Sequence, residues 1–304
     1  MSDIVPARDR LVSLADTVYV ADRCLTVYVQ VFKAACTTML WTLLELEGYD
    51  AALLDRSTRG DIPTAELLVH DRTVYPVPII TEVGPSKRRE ALTSPDWLRV
   101  AVLRDPYARL YSAWESKLLL ADPGPWLEMG APPLTVNDNG IDVGASFRAF
   151  VADLAARPAT WMGEPHFATQ ASMVRVDEIS YTDLVPTSQL GALISRLSKR
   201  SGIDISPRRS NEGLGLPWPG FIDAPTAAAI ESLYVDDFGL TGTAARSFEL
   251  GPAIYLDDAA MALRYGLIAR GRRALQLGEL IESLSNPDRM EAEIAPRRRK
   301  VWRL

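Results

Sequence analysis

Two stretches of this chain are apolar in the manner of strands buried on both faces, and each runs through a short turn into a helix-forming segment. The first, Leu25-Thr-Val-Tyr-Val-Gln-Val-Phe32, is rich in β-branched and aromatic residues. It passes through Lys33-Ala-Ala-Cys-Thr-Thr38 into residues 39–47, which read as a helix with Thr37 or Thr38 as N-cap. The second, Trp97-Leu-Arg-Val-Ala-Val-Leu103, is followed by Arg104-Asp-Pro and a helix from Tyr107 to about Leu120. Pro106 sits in the first turn of that helix, where a missing N–H is harmless. Two such units predict an α/β fold with a central, mostly parallel sheet flanked by helices.

The rest of the chain is read around these units. Glu66-Leu-Leu-Val-His70 fits a short strand or a helix end, and residues 122–144, rich in Pro, Gly and Asn, read as an excursion or lid. Residues 146–156 and 186–201 read as helices, 172–176 as a strand and 206–220 as a Pro/Gly-rich loop. Another helix follows at 225–235, and from Pro252 to Leu284 the pattern is helical, ending in a charged tail with Arg297-Arg-Arg-Lys300. The expected division is one domain over 20–245 and a helical C-terminal extension over 246–304. Ile268, Leu275 and Leu284 are among the apolar positions that either pack on the domain or mediate a homodimer.

A net charge of −6 argues against wholesale nucleic-acid binding, so an anionic ligand must meet a local basic pocket. The two cysteines, Cys24 and Cys36, make no disulfide framework, and residues 1–10 lack the apolar run of a signal peptide. No apolar stretch reaches transmembrane length. These features point to the cytoplasm, and the excess of arginine over lysine with abundant alanine points to a GC-rich bacterial source.

The turn after each strand carries the chemistry. In Phe32-Lys33-Ala34-Ala35-Cys36-Thr37-Thr38 small residues let the backbone wrap an anion, and the helix N-terminus adds partial positive charge. Lys33 adds a full charge and the threonines add hydroxyl donors; a solvated loop lysine is the plain alternative. A nucleoside triphosphatase loop, G-x-x-x-x-G-K-[ST], carries its lysine at the end. Here the lysine comes first and no glycine is present, which argues against a kinase or ATPase. In Arg104-Asp-Pro-Tyr-Ala-Arg-Leu-Tyr-Ser112, Arg104 at the strand end and Ser112 about two helical turns on can converge on one phosphate. Arg109 reads as the structural member of the set, in an ion pair with Asp105.

Taken together, in this order and about seventy residues apart, the two segments resemble the donor-binding segments of sulfotransferases that use 3′-phosphoadenosine 5′-phosphosulfate (PAPS). The likeness is greatest to the family containing the Golgi carbohydrate sulfotransferases that modify chondroitin and dermatan. There the segments read Pro-Lys-x-Ala-Cys-Thr and Arg-Asp-Pro-x-x-Arg-Leu-x-Ser. Lys33, Ala35, Cys36 and Thr37 match the first; Arg104, Asp105, Pro106, Arg109, Leu110 and Ser112 match the second. Phe32 replaces the usual proline, and Met39 stands where Trp is frequent. Looser likenesses follow at Pro165-His166-Phe-x-x-Gln170, at Asn211 and at Leu233-Tyr234-x-x-Asp237-Phe238.

The resemblance implies a P-loop-like sulfotransferase fold and a set of roles. Lys33 and the amides of Ala34, Ala35, Cys36, Thr37 and Thr38 would hold the 5′-phosphosulfate, and Arg104 and Ser112 the 3′-phosphate. Transfer would be an in-line displacement at sulfur with no obligatory metal, leaving 3′-phosphoadenosine 5′-phosphate (PAP). The acceptor would be a hydroxyl of a carbohydrate, glycan or glycosylated metabolite. The position of the base in related sulfotransferases favours His70, with Glu82 or Glu66 as alternatives, while His166 either positions the acceptor or is itself the base. Arg208 and Arg209, just before Asn211, are candidates for a late clamp on the 3′-phosphate. Lys87-Arg88-Arg89 reads mainly as a solvated charge run, Cys36 as a small packing residue, and Trp114, Trp126 and Trp161 as either groove or core. A nucleotide kinase of the P-loop type and a nucleotide-binding protein without turnover are the rival readings.

Overall fold

A computed structural model describes residues 14–50, 65–72, 74–120, 129–205, 213–257, 259–260, 262–263 and 266. Strand β1 (Val18–Ala21) runs antiparallel to β2 (Thr26–Val29), pairing Val20 with Val27. After β2 comes helix α1 (Cys36–Leu46) and, later, α2 (Pro85–Thr93). Then β3 (Leu98–Leu103) pairs parallel to β2, with Thr26 beside Leu98. Helix α3 (Pro106–Trp114) leaves β3, and a hairpin of β4 (Val136–Asn137) and β5 (Gly140–Asp142) leads to α4 (Val143–Ala156). Short α5 (Gln170–Val174) precedes β6 (Asp183–Pro186), which lies parallel to β3 and completes the order β1-β2-β3-β6.

The sheet is covered on both faces, which is why β2 and β3 are apolar on both. On one side Met39, Leu40 and Leu44 of α1 meet Leu193 and Leu197 of α6 (Leu190–Ser201) over Tyr28 and Val100. On the other, Trp97, Ala91, Val174 and Ile179 pack on Val27, Val29 and Ala101. A third cluster joins α3 and α4 to α7 (Ala224–Leu233) and α8 (Val235–Thr241) around Trp114, Phe147, Phe150, Trp161, Phe167 and Tyr234. Trp114 and Trp161 are therefore core residues; Trp126 lies outside the described residues.

Three sequence expectations are corrected. Residues 172–176 are not a strand: α5 covers 170–174, with the Thr169 hydroxyl accepting from Ser172 N–H at its start. The third parallel strand lies further on, at β6, where Pro186 is tolerated because this is an edge. The helical pattern expected from Pro252 begins later, because β7 (Tyr255–Leu256) pairs with β5 in a second sheet, and Phe248, Ile254 and Leu256 pack on the third cluster. Positions 268–284 and the tail lie outside the described residues. No helix among the described residues is long and apolar enough to cross a membrane.

Candidate active site

The turns after β2 and β3 lie side by side because their strands are parallel neighbours, and ligands of open α/β sheets bind at that edge. The first turn has left-handed backbone at Lys33 (φ 64°) and at Ala35 (φ 61°), although neither is glycine. Such residues cost about 1–3 kcal/mol each and persist only where surroundings fix them. Two arginines do so here: Arg109 Nε donates to Phe32 O at 2.9 Å, and Arg104 Nη1 to Lys33 O at 3.2 Å. Ala35, not Thr37 or Thr38, is the N-cap of α1, and no side chain caps it. The first bond of the helix is Met39 N–H to Ala35 O, so the N–H groups of Cys36, Thr37 and Thr38 have no intrahelical acceptor and suit an anion.

Arg109 does not pair with Asp105. It is 1% exposed, and its guanidinium spans Phe32 O, Ala168 O (2.7 Å), Pro165 O (3.3 Å) and His166 O (3.4 Å). Asp105 instead accepts from Ala108 N–H at the start of α3 and pairs with Arg246 at 2.7 Å. The downstream segments complete the frame. Gln170 accepts from Arg104 N–H and donates to Arg104 O, at 2.9 and 2.8 Å. Buried Asp237 accepts the amides of Gln170 and Ala171, and Tyr234 donates to Phe167 O at 2.6 Å.

Between the two turns lies a cavity of about 570 Å³, in the size range of small-ligand sites. Lys33, Ala35, Cys36, Thr37 and Thr38 line it together with Arg104 and Ser112, and Tyr111, Glu115, Thr187, Gly213, Leu216 and Trp218 complete the lining. Tyr111 and Trp218 stack at 6.2 Å. Sequence reading missed Glu115, which is buried, accepts from Tyr111 O–H and Leu214 N–H, and so ties the returning chain to this wall. A Cβ on Gly213 would lie 1.8 Å from its Oε2, so any other residue there would displace the Glu115 carboxylate. Arg208, Arg209 and Asn211 lie outside the described residues.

Glu115 opens a π-helical turn (Glu115–Leu119), a form that recurs at functional sites. It carries two further residues that sequence reading missed: Ser116, whose hydroxyl accepts from Lys33 Nζ at 2.8 Å, and Lys117. Both imidazoles lie within the field of Lys117 and Lys33. His70 ends the 3₁₀ helix Ala65–His70, which also holds Glu66. Its Nε2 is 3.0 Å from Thr37 Oγ1 and its Nδ1 3.3 Å from Gln30 Nε2. His166 packs its ring on Phe32, with centroids 4.9 Å apart, and its Nδ1 is 2.7 Å from Glu164. Glu82 is bound to Arg72 at 2.6 Å and to Ile79 N–H at 2.9 Å. Lys87 contacts Asp22 and the Trp97 ring, so that charge run is partly structural.

Burial, reinforced by Lys117 and Lys33, pushes the His70 imidazole down to about 4 and pulls His166 well below its usual range. Both are neutral near pH 7. An unfolded histidine titrates near 6.5, so the unfolded chain takes up these protons first and stability falls as pH drops from about 6.5 toward 4. Urea midpoints should accordingly decrease between pH 7 and pH 5, less so in a H70Q/H166Q double variant. Equal slopes in the two proteins would refute this assignment.

The cavity lined by the start of α1 and by Arg104 and Ser112 thus lies at the carboxyl edge of the parallel strands of an α/β fold. A family model described as the sulfotransferase family matches residues 16–211, well over half of the chain, and the chain belongs to that family. It is thereby an enzyme of sulfuryl transfer. No curated protein and no solved structure matches it.

Proposed function

We propose that the enzyme transfers the sulfuryl group of PAPS to a hydroxyl of a carbohydrate or glycosylated metabolite, within a P-loop-like domain spanning about 20–245. The observation that carries this reading is the single cavity shared by the Lys33 turn and the Arg104–Ser112 pair. The charges of Lys33 and Arg104 and the start of α1 on one cavity suit a ligand with more than one anionic group, as a 3′-phosphorylated, 5′-sulfated nucleotide has. The free, buried cysteines Cys24 and Cys36 accord with a reducing, cytoplasmic setting.

When bound, the donor supplies an activated sulfuryl group on a phosphate leaving group. Lys33 and the amides at the start of α1 neutralise charge as it builds on the bridging oxygen, and Arg104 and Ser112 fix the far phosphate. One of the two neutral imidazoles receives the acceptor's proton. Catalysis is then mostly positioning and charge stabilisation.

Titration calorimetry with PAP against ADP tests the donor. PAP should bind at least tenfold more tightly, and Arg104→Ala should remove that preference by taking away a charge-assisted phosphate contact. Equal affinities in the unaltered enzyme would exclude a 3′-phosphorylated donor.

A further inference from the structure

Arg104 is the cation of the second turn. Its guanidinium has one acceptor among the described residues, Lys33 O at 3.2 Å from Nη1, and the side chain lines the cavity. Two carboxylates lie in its field, those of Asp105 and Glu115. Such a carboxylate competes with an anionic ligand for the same cation. Glu115 is engaged by Tyr111 O–H and Leu214 N–H. Asp105, the next residue in the chain, has both oxygens occupied: Oδ1 accepts from Ala108 N–H at 3.0 Å, and Oδ2 pairs with Arg246 at 2.7 Å.

Arg246 is brought there from far along the chain. It lies 141 residues after Asp105, beyond the segment 16–211 that the family model matches. The stretch between α8 and β7 carries it over the start of α3 as a strap. Gly251 N–H fastens that strap to Gly220 O at 3.0 Å, and the pairing of β7 with β5 fastens its end. Three rings lie within cation–π range of the guanidinium: Tyr107 at 5.0 Å, Phe248 at 5.3 Å and Trp218 at 5.9 Å. They fix where the charge sits without consuming its N–H donors, which leaves Nη2 to Asp105.

We infer that Arg246 is a positioning residue of the anion site: by neutralising Asp105 it leaves the charge of Arg104 to the ligand. The identity of that ligand rests on the donor reading above. An unopposed Asp105 would offset the Arg104 charge and repel an incoming phosphate. With the pair closed, the second turn presents a net positive charge to the cavity. The family-matched segment thus supplies Lys33 and Arg104, and the chain beyond it supplies the counter-charge that keeps Arg104 available.

Three variants beside the parent separate this charge role from mere fastening of the strap: Arg246→Met, Asp105→Asn and the two combined. Methionine keeps an apolar stem against the three rings, and asparagine still caps α3. In low salt, calorimetry should show PAP binding Arg246→Met about fivefold more weakly than the parent, the effect of one partly exposed charge pair. Asp105→Asn should bind at least as tightly as the parent, and the combined variant should return to within about twofold of it. Arg246→Lys keeps the charge and should recover most of the loss. At about 0.5 M salt the Arg246→Met deficit should largely vanish, because exposed charges are then screened within about 4 Å. A combined variant as weak as Arg246→Met, or a deficit that salt leaves unchanged, overturns the inference and reduces Arg246 to a fastener. Failure of PAP to bind the parent would remove the donor reading instead. Inorganic pyrophosphate then reads the same series, and the same order of affinities would uphold the role of Arg246. If the parent binds neither anion, or all the variants bind pyrophosphate alike, Arg104 offers no charge to the cavity and the inference falls as well.

Discussion

Arg109→Leu should unfold or nearly unfold the enzyme, with a loss of about 3–5 kcal/mol, among the largest effects of a single change. Leucine fills part of the volume but leaves four carbonyls, those of Phe32, Pro165, His166 and Ala168, facing a buried site without a donor. Each unsatisfied buried group costs about 1–3 kcal/mol, moderated by relaxation. The buried carboxylate of Asp237 also loses the Arg109 charge that offsets its burial. Arg109→Lys keeps the charge, but an ammonium cannot span carbonyls on two segments as a planar guanidinium does. It should recover part of the stability and little of the turnover, since Phe32 and His166 would no longer be held in one frame. Urea unfolding followed by circular dichroism measures the first effect. A Leu variant within 0.5 kcal/mol of the parent would show that the arginine is dispensable to the fold.

Lys33→Met should leave the fold intact and lower kcat about 10³-fold, the upper range for loss of one group that stabilises developing charge. Methionine matches much of the stem and removes the ammonium. Ser116 loses the donor at 2.8 Å but retains its own bond to Ala113 O, so the π-helical turn keeps its geometry. PAP affinity should fall by about tenfold at most, because backbone amides and Arg104 still meet the anionic groups. A kcat loss well above the affinity loss marks an interaction made chiefly in the transition state. A variant that retained kcat within tenfold would reduce Lys33 to a binding residue.

The parts of this molecule that were legible in the sequence are those in which local pattern and tertiary role coincide. β2 and β3 are buried on both faces, so their apolar runs announce them, and the turns after them carry their cations within a few residues. β6 is four residues long, contains Asp183 and Pro186, and has only an edge to fill, so nothing in its pattern marks it. α5 was mistaken for a strand because its helix start is fixed by Asp237, 67 residues after Gln170. Arg109 was given to Asp105 because the two are close in sequence, yet α3 uses Asp105 as its own cap and turns the guanidinium inward. Glu164 gave one small signal, a carboxylate two residues before a histidine across a proline. Ser116 and Lys117 gave none, because their direction depends on the π-helical turn.

That turn holds one residue more than an α-helix would place in the same rise, and one residue is roughly 100° of rotation. Ser112, before it, lines the cavity beside Arg104, while Ser116 and Lys117, within it, face Lys33 and the imidazoles. The π-turn therefore acts as a phase shifter between two halves of one helix, letting the Ser112 end and the Ser116 end each keep its own bearing. Shortening it by a residue would leave composition and charge nearly untouched and still put the two ends out of step. Length here is as much a part of the site as any side chain.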